Sequence, residues 1–157
     1  MDLAKEVGKT ASKKRRTIAL AESITGGLAG SLITDIPGSS DYFLASFVTY
    51  SNDAKMNVLG VERATIEKHG AVSAQVAKEM ASGARRIAGA DIGASCTGIA
   101  GPGGGSEKKP IGLVFLAVDD GKSVRSERKV FCGDRWAIKS QAAVRLLELV
   151  LKALQSE

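Results

Sequence analysis

The sequence predicts one α/β domain, a three-layer α/β/α sandwich with a mixed, mostly parallel β-sheet. Strand-like apolar runs alternate with helix-like amphipathic segments along most of the 157 residues, which favours a sheet covered by helices. Two late strand-like runs flank Asp119-Asp120-Gly121, a turn typical of an antiparallel hairpin. Neither a repeat nor a low-complexity linker divides the chain, so we expect residues 1–157 to form a single domain.

The elements in the first half are bounded by turn or capping residues. Asp2–Arg15 carries Leu3, Val7 and Ala11 on one face, which predicts an amphipathic helix. In chain order the predicted elements are a helix over 2–15, a strand over 17–22, a helix over 26–35, a loop over 37–40, a strand over 42–50, a short helix from the cap cluster 51–53 to residue 59, and another over 62–68.

The second half begins with a long helix. Ser73 is typical of an N-cap, and Val76, Met80 and Ile87 are expected to point inward from the helix that follows. The predicted elements are that helix over 74–88, a strand over 91–97, a glycine-rich loop over 98–110, two hairpin strands over 111–118 and 124–131, and a final helix from Gly133-Asp134 to about Leu154.

Composition excludes several functional classes. No apolar run approaches the ~20 residues of a membrane span, and the Lys-rich N-terminal segment has no apolar core typical of a signal peptide. We therefore expect a cytoplasmic protein with no membrane partner. The net charge is +5, but aromatic residues are only 4% and no nucleic-acid motif is present. This balance favours a solvated basic face over a nucleic-acid site, and it suits a small anionic substrate.

The cysteines and the histidine do not indicate a metal site. Cys96 and Cys132 each lie in an apolar, strand-like run, without a CxxC motif, so both are expected to be buried, reduced thiols. His69 is the only histidine and precedes Gly70, a pattern typical of a helix end. We therefore predict no metal and no cofactor, and no Ser-His-Asp triad unless His69 is its base.

The first candidate for chemistry is Ser23, in Glu22-Ser23-Ile24-Thr25-Gly26-Gly27. This stretch joins a strand to a helix by a tight turn, where unpaired backbone N–H groups can bind an anion or an oxyanion. Serine and threonine are also common helix caps. Taken alone, this stretch favours Ser23 as a helix cap rather than as a residue that takes part in chemistry.

A second candidate pair follows the second strand. Lys55 lies in the first turn of the helix opened by Ser51-Asn52-Asp53, where the positive potential of the helix terminus opposes a protonated ammonium. Burial or a neighbouring cation could lower its pKa further, as a general base near pH 7 requires. The Tyr50 hydroxyl could bridge the amine of Lys55 and the hydroxyl of Ser23 as donor and acceptor. Without Ser23 nearby, a solvated lysine and a strand-end aromatic would explain both residues.

Two further loops could bind substrate. The run from Thr97 to Gly105 is rich in glycine and allows backbone amides to approach a phosphate or carbonyl, although it matches neither a Walker loop nor a GxGxxG motif. Arg135 opens the last helix and could clamp a phosphate or carboxylate. A flexible loop and a surface arginine are the alternatives.

Taken together, these blocks resemble the C-terminal domain family of the competence/damage-inducible protein CinA. The matching blocks, in one order, are 21–27, 37–40, 48–52 with Lys55, 70–73, 97–104 and 133–135. The resemblance covers about residues 2–153 and implies a similar sandwich fold. It also implies a stand-alone form, without the separate N-terminal domain of longer members.

The resemblance implies an enzyme, a nicotinamide-nucleotide amidase that converts nicotinamide mononucleotide to nicotinate mononucleotide and ammonia without a metal. It carries Ser23 over as the nucleophile and Tyr50 with Lys55 as the base system, in which Lys55 takes the Ser23 proton either directly or through Tyr50. Thr97 and Arg135 are the other matched positions. The residues expected to bind the substrate are Thr25, Gly26, Gly27, Thr97, Gly101 and Arg135. The Gly26 and Gly27 amides, helped by Thr97, are expected to hold the oxyanion.

The expected partner is a small pyridine nucleotide. The sequence leaves the oligomeric state open, a homo-oligomer included. A different class of function also stays open, namely a non-catalytic nucleotide- or partner-binding module linked to competence or DNA damage, in which Ser23 is only a cap.

Overall fold

A computed structural model describes residues 2–156. It contains six α-helices and five strands in that range. In chain order these are α1 (Asp2–Lys14), β1 (Ile18–Glu22), α2 (Leu28–Thr34), a 3₁₀ turn (Ser39–Asp41), β2 (Phe43–Val48), α3 (Asn52–Leu59), α4 (Arg63–His69), α5 (Ala74–Ala88), β3 (Ile92–Gly98), β4 (Leu113–Asp119), β5 (Val124–Val130) and α6 (Arg135–Gln155).

The five strands form one mixed sheet in the order β2-β1-β3-β4-β5. β1 pairs in parallel with both β2 and β3, whereas β4 pairs antiparallel with β3 and β5. The predicted hairpin is therefore confirmed as the antiparallel part. Because β1, β2 and β3 run in the same direction, the loops that follow them meet at one edge of the sheet.

Helices cover both faces of the sheet and confirm the three-layer sandwich. On one face, α5 packs against β1, β3 and β4, and on the other α6 packs against β3, β4, α1 and α2. The larger apolar core lies under α1, α2 and α6 and includes Ile18, Leu20, Leu116, Leu146 and Leu147, all at most 1% exposed. The central strand β1 is buried along its whole length, so the residues that directly follow it are held on a rigid support.

Several predicted boundaries and orientations are wrong for identifiable reasons. Helix α2 begins at Leu28 rather than at Gly26, since Gly26 and Gly27 have φ values of 62° and 100°, which are left-handed and cannot continue a helix. Ile87, predicted to point inward, is 46% exposed. Cys132, predicted to lie in a buried strand, is exposed. It lies beyond the end of β5 at Val130, and β5 is an edge strand that is itself mostly exposed.

The capping predictions are confirmed. The side chains of Ser51, Ser73 and Asp134 accept hydrogen bonds from the amides of Ala54, Val76 and Ala137, respectively. Helix α4 ends at His69 with Gly70 as its C-cap, as predicted. In the part of the chain that the structure describes, no helix is long and apolar enough to cross a membrane.

Candidate active site

The loops after the three parallel strands and the start of α6 enclose a pocket of about 170 Å³. Ser23 follows β1, Tyr50 and Lys55 follow β2, and Thr97 lies at the end of β3, so the topology brings these predicted residues together. The lining residues are Ser23, Ile24, Tyr50, Asn52, Lys55, Ala71, Val72, Thr97, Gly98, Ala100 and Arg135.

Glu22 fixes the turn that carries Ser23. Its carboxylate is completely buried and accepts hydrogen bonds from the amides of Gly27, Ala29 and Gly30 at 2.8–3.1 Å. The hydroxyl groups of Thr25 and Ser46 donate to it at 2.6 and 2.7 Å. These five donors satisfy the hydrogen-bonding capacity of the buried carboxylate, as a polar group removed from water requires.

The approach of α2 to this carboxylate explains a nearby glycine. A Cβ atom at Gly30 would lie 3.2 Å from Glu22 Oε1 and 3.0 Å from Ser46 Cβ. Any larger residue at this position would crowd Glu22 and Ser46, so the absence of a side chain at Gly30 favours the close approach of the helix amides to the carboxylate. The hydrogen bonds from α2 to Glu22 connect the end of β1 to the start of α2. They hold the turn between them, and Ser23 lies in this turn.

Lys55 contacts Ser23 directly. Its side chain is 2% exposed, and Nζ donates to Ser23 Oγ at 3.0 Å. Nζ also donates to the backbone carbonyls of Thr49 at 2.9 Å and Tyr50 at 3.1 Å. A protonated lysine thus has a partner for each of its three N–H groups.

The two carbonyls also determine what a neutral Lys55 does. Carbonyl oxygens can only accept, so in the neutral amine the two remaining N–H groups point at Thr49 and Tyr50. The third tetrahedral position, which faces Ser23 Oγ, is then the nitrogen lone pair. Deprotonation therefore reverses the Lys55–Ser23 hydrogen bond and makes the amine an acceptor for the serine hydroxyl proton.

Burial makes this deprotonation accessible near neutral pH. It lowers the pKa of Lys55 from 10.5 to about 8, with the sulfur of Cys96 acting in the opposite direction. That opposing effect requires a thiolate, and burial raises the pKa of the Cys96 thiol to about 12. Burial therefore dominates at Lys55, and Cys96 is a neutral thiol rather than a nucleophile.

Tyr50 and Arg135 form the rim of the pocket. Arg135 donates through Nη1 to the Gly101 carbonyl at 2.7 Å and through Nη2 to the Tyr50 hydroxyl at 3.2 Å. The Tyr50 side chain is 64% exposed, and its hydroxyl contacts Arg135 instead of bridging Lys55 and Ser23. The hydrogen bond between Lys55 and Ser23 is compatible with direct proton transfer between these two residues, the first of the two routes expected from the sequence.

Thr97 lies in the pocket wall as an acceptor. Its hydroxyl donates to the Ala71 carbonyl at 2.9 Å, so its proton is already engaged and its lone pairs remain. To help with an oxyanion, as expected from the sequence, Thr97 would have to give up this hydrogen bond, because an oxyanion needs a donor. An oxygen acceptor at this place instead suits an N–H group of a substrate.

The structure also corrects the role expected for Thr25, Gly26, Gly27 and Gly101. The Thr25 hydroxyl and the Gly27 amide donate to Glu22, and the Gly26 amide donates to the Ser23 carbonyl. Gly101 contributes its carbonyl to Arg135. The helix N-terminus that could have bound an oxyanion is occupied by the protein's own carboxylate, so these amides are not free for substrate.

Sequence reasoning missed several contributors. Asn52, Ala71 and Val72 lie in the matching blocks without a predicted role, although they line the pocket. Glu22 belongs to the first block, but its part as the acceptor of five hydrogen bonds was not predicted. Its signal is a charged residue at the end of an apolar strand, which must find several donors if the strand is buried.

Other clefts carry none of the predicted site residues. A larger one of about 250 Å³ lies between β5 and α6, but Arg145 within it pairs with Glu127 at 3.0 Å. Within residues 2–156, no three histidine, cysteine, aspartate or glutamate side chains form a group that could hold a metal ion.

The fold and this site define an α/β protein with a buried lysine hydrogen-bonded to a serine at the carboxyl edge of parallel strands. The chain belongs to the CinA C-terminal domain family, whose model matches residues 1–154. A CinA-like protein of Desulforapulum autotrophicum is 48% identical over 155 residues, which cover 98% of this chain and 37% of that protein. The chain thus spans little more than a third of that relative's length.

Solved structures share the whole fold. The competence/damage inducible protein CihA of Agrobacterium tumefaciens has a TM-score of 0.94 and 38% identity, covering 97% of this chain and 93% of that one. A CinA superfamily protein of Klebsiella pneumoniae has a TM-score of 0.95 and 31% identity, with coverage of 99% and 98%. These likenesses confirm the family and the mixed α/β fold expected from the sequence.

Proposed function

We propose that this domain is a serine amidohydrolase that deamidates nicotinamide mononucleotide. The observation that carries the proposal is the buried amine of Lys55, 3.0 Å from Ser23 Oγ and oriented by two backbone carbonyls. A lysine with a pKa lowered by burial is a suitable base for a serine nucleophile. The family resemblance supplies the substrate.

In the proposed reaction, Ser23 Oγ attacks the carboxamide carbon while neutral Lys55 accepts the hydroxyl proton. Collapse of the tetrahedral intermediate breaks the C–N bond, and Lys55 returns that proton to the nitrogen, which leaves as ammonia. Water then attacks the ester carbon and loses a proton to Lys55. The bond between the acyl carbon and Ser23 Oγ breaks as Lys55 returns that proton to Oγ, and nicotinate mononucleotide is released. The covalent ester replaces one difficult attack of water on an amide by two easier steps.

The groups around the carboxamide follow from the pocket. The Thr97 hydroxyl oxygen would accept a hydrogen bond from an N–H group of the carboxamide. The oxyanion needs a donor other than the Gly26 and Gly27 amides, and the Asn52 side-chain amide in the pocket lining is the group we assign to it. The Lys55 ammonium formed in the first step adds positive charge beside the same intermediate.

Pocket size and charge support a pyridine nucleotide. A volume of about 170 Å³ is below the range of about 300–1,000 Å³ typical for drug-sized ligands, so we expect it to hold the pyridine ring and carboxamide. Ribose and phosphate would extend past the rim, where Arg135 lies. The fixed positive charge of the pyridinium ring would further disfavour the Lys55 ammonium and keep the base neutral.

The test compares ammonia release from nicotinamide mononucleotide, its riboside, free nicotinamide and a neutral analogue. In the neutral analogue, carbon replaces the ring nitrogen, so the ring is uncharged while the phosphate arm is intact. We expect ammonia and nicotinate mononucleotide in equal amounts, poor turnover of free nicotinamide, and slower turnover of the neutral analogue than of the native substrate. Equal rates for the native substrate and the neutral analogue would refute the role of the ring charge.

The same assay separates catalysis from a binding function. A non-catalytic module would bind the mononucleotide without releasing ammonia, and Lys55→Ala would leave its affinity nearly unchanged. Binding without turnover by the purified chain would therefore overturn the proposed activity.

A further inference from the structure

Lys139 lies beside the turn that carries Ser23, although no step of the proposed reaction uses it. Gly26 closes this turn by donating its amide to the Ser23 carbonyl at 3.2 Å. Among the described residues that are not its chain neighbours, a Cβ atom built at Gly26 would approach only one atom within 4 Å, Lys139 Nζ at 3.9 Å. The space above this glycine is therefore open, and the Lys139 ammonium borders it.

Lys139 is also one helical turn from Arg135. Residues four apart on a helix are neighbours on the same face, so the two cations follow each other along α6. Arg135 lines the pocket and donates to the Gly101 carbonyl and the Tyr50 hydroxyl. These contacts use two of its five N–H groups, so three can still donate. Arg135 and Lys139 thus form a basic pair that extends from the pocket rim to the turn at Gly26.

The segments around Lys139 carry no carboxylate that could balance its charge. The turn 23–27, helix α2 and residues 135–143 of α6 contain neither aspartate nor glutamate. In the part of the chain that the structure describes, the ion pairs do not include Lys139. The side chain is only partly exposed, so part of its conformational freedom is already lost before a ligand binds. An unbalanced ammonium held in this way suits an anionic ligand.

We infer that Lys139 binds the substrate phosphate together with Arg135, so that the basic pair is a subsite for a phosphate monoester. The inference rests on the proposed nucleotide substrate and assigns it a second phosphate ligand. A phosphate monoester carries close to two negative charges at pH 7, and Arg135 alone balances only one of them. The basic pair supplies two positive charges, and Gly26 leaves the space between them free of a side chain.

The position of the subsite fits a nucleotide that reacts at Ser23. The hydrogen bond from Gly26 to Ser23 is that of a β-turn, which keeps the Cα atoms of these residues within about 7 Å. With the carboxamide at Ser23 Oγ, the pyridine ring and the ribose separate the phosphate from the reacting carbon by a similar span. The phosphate would then lie over Gly26, within reach of both cations. In the riboside, which has no phosphate, Lys139 has no anion to bind.

The first test measures the affinity of the full chain for nicotinate mononucleotide and nicotinate riboside by isothermal titration calorimetry. These products bind without turnover, so the measurement does not depend on activity. Lys139→Met keeps the length of the side chain but removes its charge. It should weaken binding of the mononucleotide about tenfold, the effect of losing one charged hydrogen bond, and leave binding of the riboside nearly unchanged.

Two further variants control for the substitution. Lys139→Arg keeps the charge and should retain most of the affinity for the mononucleotide. Lys152→Met makes the same change as Lys139→Met at an exposed position near the other end of α6, and it should affect neither ligand. Circular dichroism checks that all three variants are folded.

The second test is ammonia release from nicotinamide mononucleotide and its riboside. Lys139→Met should raise KM for the mononucleotide about tenfold with little change in kcat, and should leave kcat/KM for the riboside nearly unchanged. Equal losses on the phosphorylated and unphosphorylated ligands, or no loss on either, would overturn the subsite. A wild type that releases no ammonia would overturn the proposed activity instead, while the affinities for the two products would still decide the role of Lys139.

Discussion

Replacing Lys55 with methionine should remove a pH-dependent cost to stability while abolishing activity. Methionine has a similar length but no charge, so it removes the cost of burying an ammonium. The pKa of Lys55 is about 8 in the folded protein and 10.5 when unperturbed. At about 1.4 kcal/mol per pKa unit, this difference corresponds to about 3 kcal/mol of stability.

The sign follows from proton binding. Between pH 8 and 10.5 the unfolded chain binds more protons at Lys55 than the folded chain, so the contribution of Lys55 to stability rises with pH in this window. Below pH 8 the full cost is present, and above pH 10.5 it is absent. The methionine side chain does not titrate, so the wild type should gain about 2–3 kcal/mol on the Lys55→Met variant between about pH 7 and pH 10.

The assay is urea unfolding of both proteins at the two pH values, with the free energy of unfolding extrapolated to water. A constant offset is expected as well, because the Thr49 and Tyr50 carbonyls lose their donor in the variant. Only the pH-dependent difference measures the buried charge. Lys78→Met makes the same change at an exposed position of α5 and controls for the substitution. A wild-type-to-variant difference that is identical at both pH values would refute the burial of a titrating amine at Lys55.

Three further predictions concern activity. The rate constant kcat/KM should rise about tenfold from pH 7 to pH 9 as Lys55 loses its proton. The apparent pKa in the pH profile of kcat should be lower than the one in the profile of kcat/KM, because the bound pyridinium opposes the ammonium. A flat pH profile would contradict Lys55 as the base. Glu22→Ala should lower the free energy of unfolding by more than about 3 kcal/mol, because several buried donors lose their acceptor. Glu22→Gln should retain part of both stability and kcat. Wild-type stability of Glu22→Ala in urea unfolding would show that the carboxylate does not hold the turn. Arg135→Ala should raise KM for the mononucleotide about ten- to a hundredfold, as expected for the loss of a charged hydrogen bond of about 1.5–3 kcal/mol, and should affect the riboside less. Lys109→Ala should have little effect, because that ammonium donates to the His69 carbonyl at 2.7 Å. Equal losses on both substrates would show that Arg135 holds Tyr50 and Gly101 in place rather than binding the phosphate.

The sequence predicted the sandwich because its elements are punctuated by strong local signals. Ser51, Ser73 and Asp134 cap their helices as expected, and the turn at Asp119-Asp120-Gly121 joins two antiparallel strands. The errors came where tertiary contacts decide. Ile87 fits an apolar helical stripe, but it lies near the C-terminal end of α5, where it is 46% exposed.

The same distinction holds for the site. Ser23, Lys55, Thr97 and Arg135 could be predicted to meet, because the carboxyl ends of parallel strands share one edge of the sheet. The occupant of the α2 N-terminus could not be predicted, since a local pattern indicates free amides and does not show that Glu22 folds back onto them.

The central claim is that Ser23 forms the covalent ester, and its most direct test is ammonia release by Ser23→Ala beside the wild type. Ser31→Ala, on the exposed side of α2, is the matched control and should retain wild-type turnover. We expect Ser23→Ala to lose at least about a thousandfold in kcat, in keeping with the removal of a nucleophile from other serine hydrolases, while still binding the mononucleotide. Turnover of the Ser23→Ala chain at the wild-type rate would contradict the account.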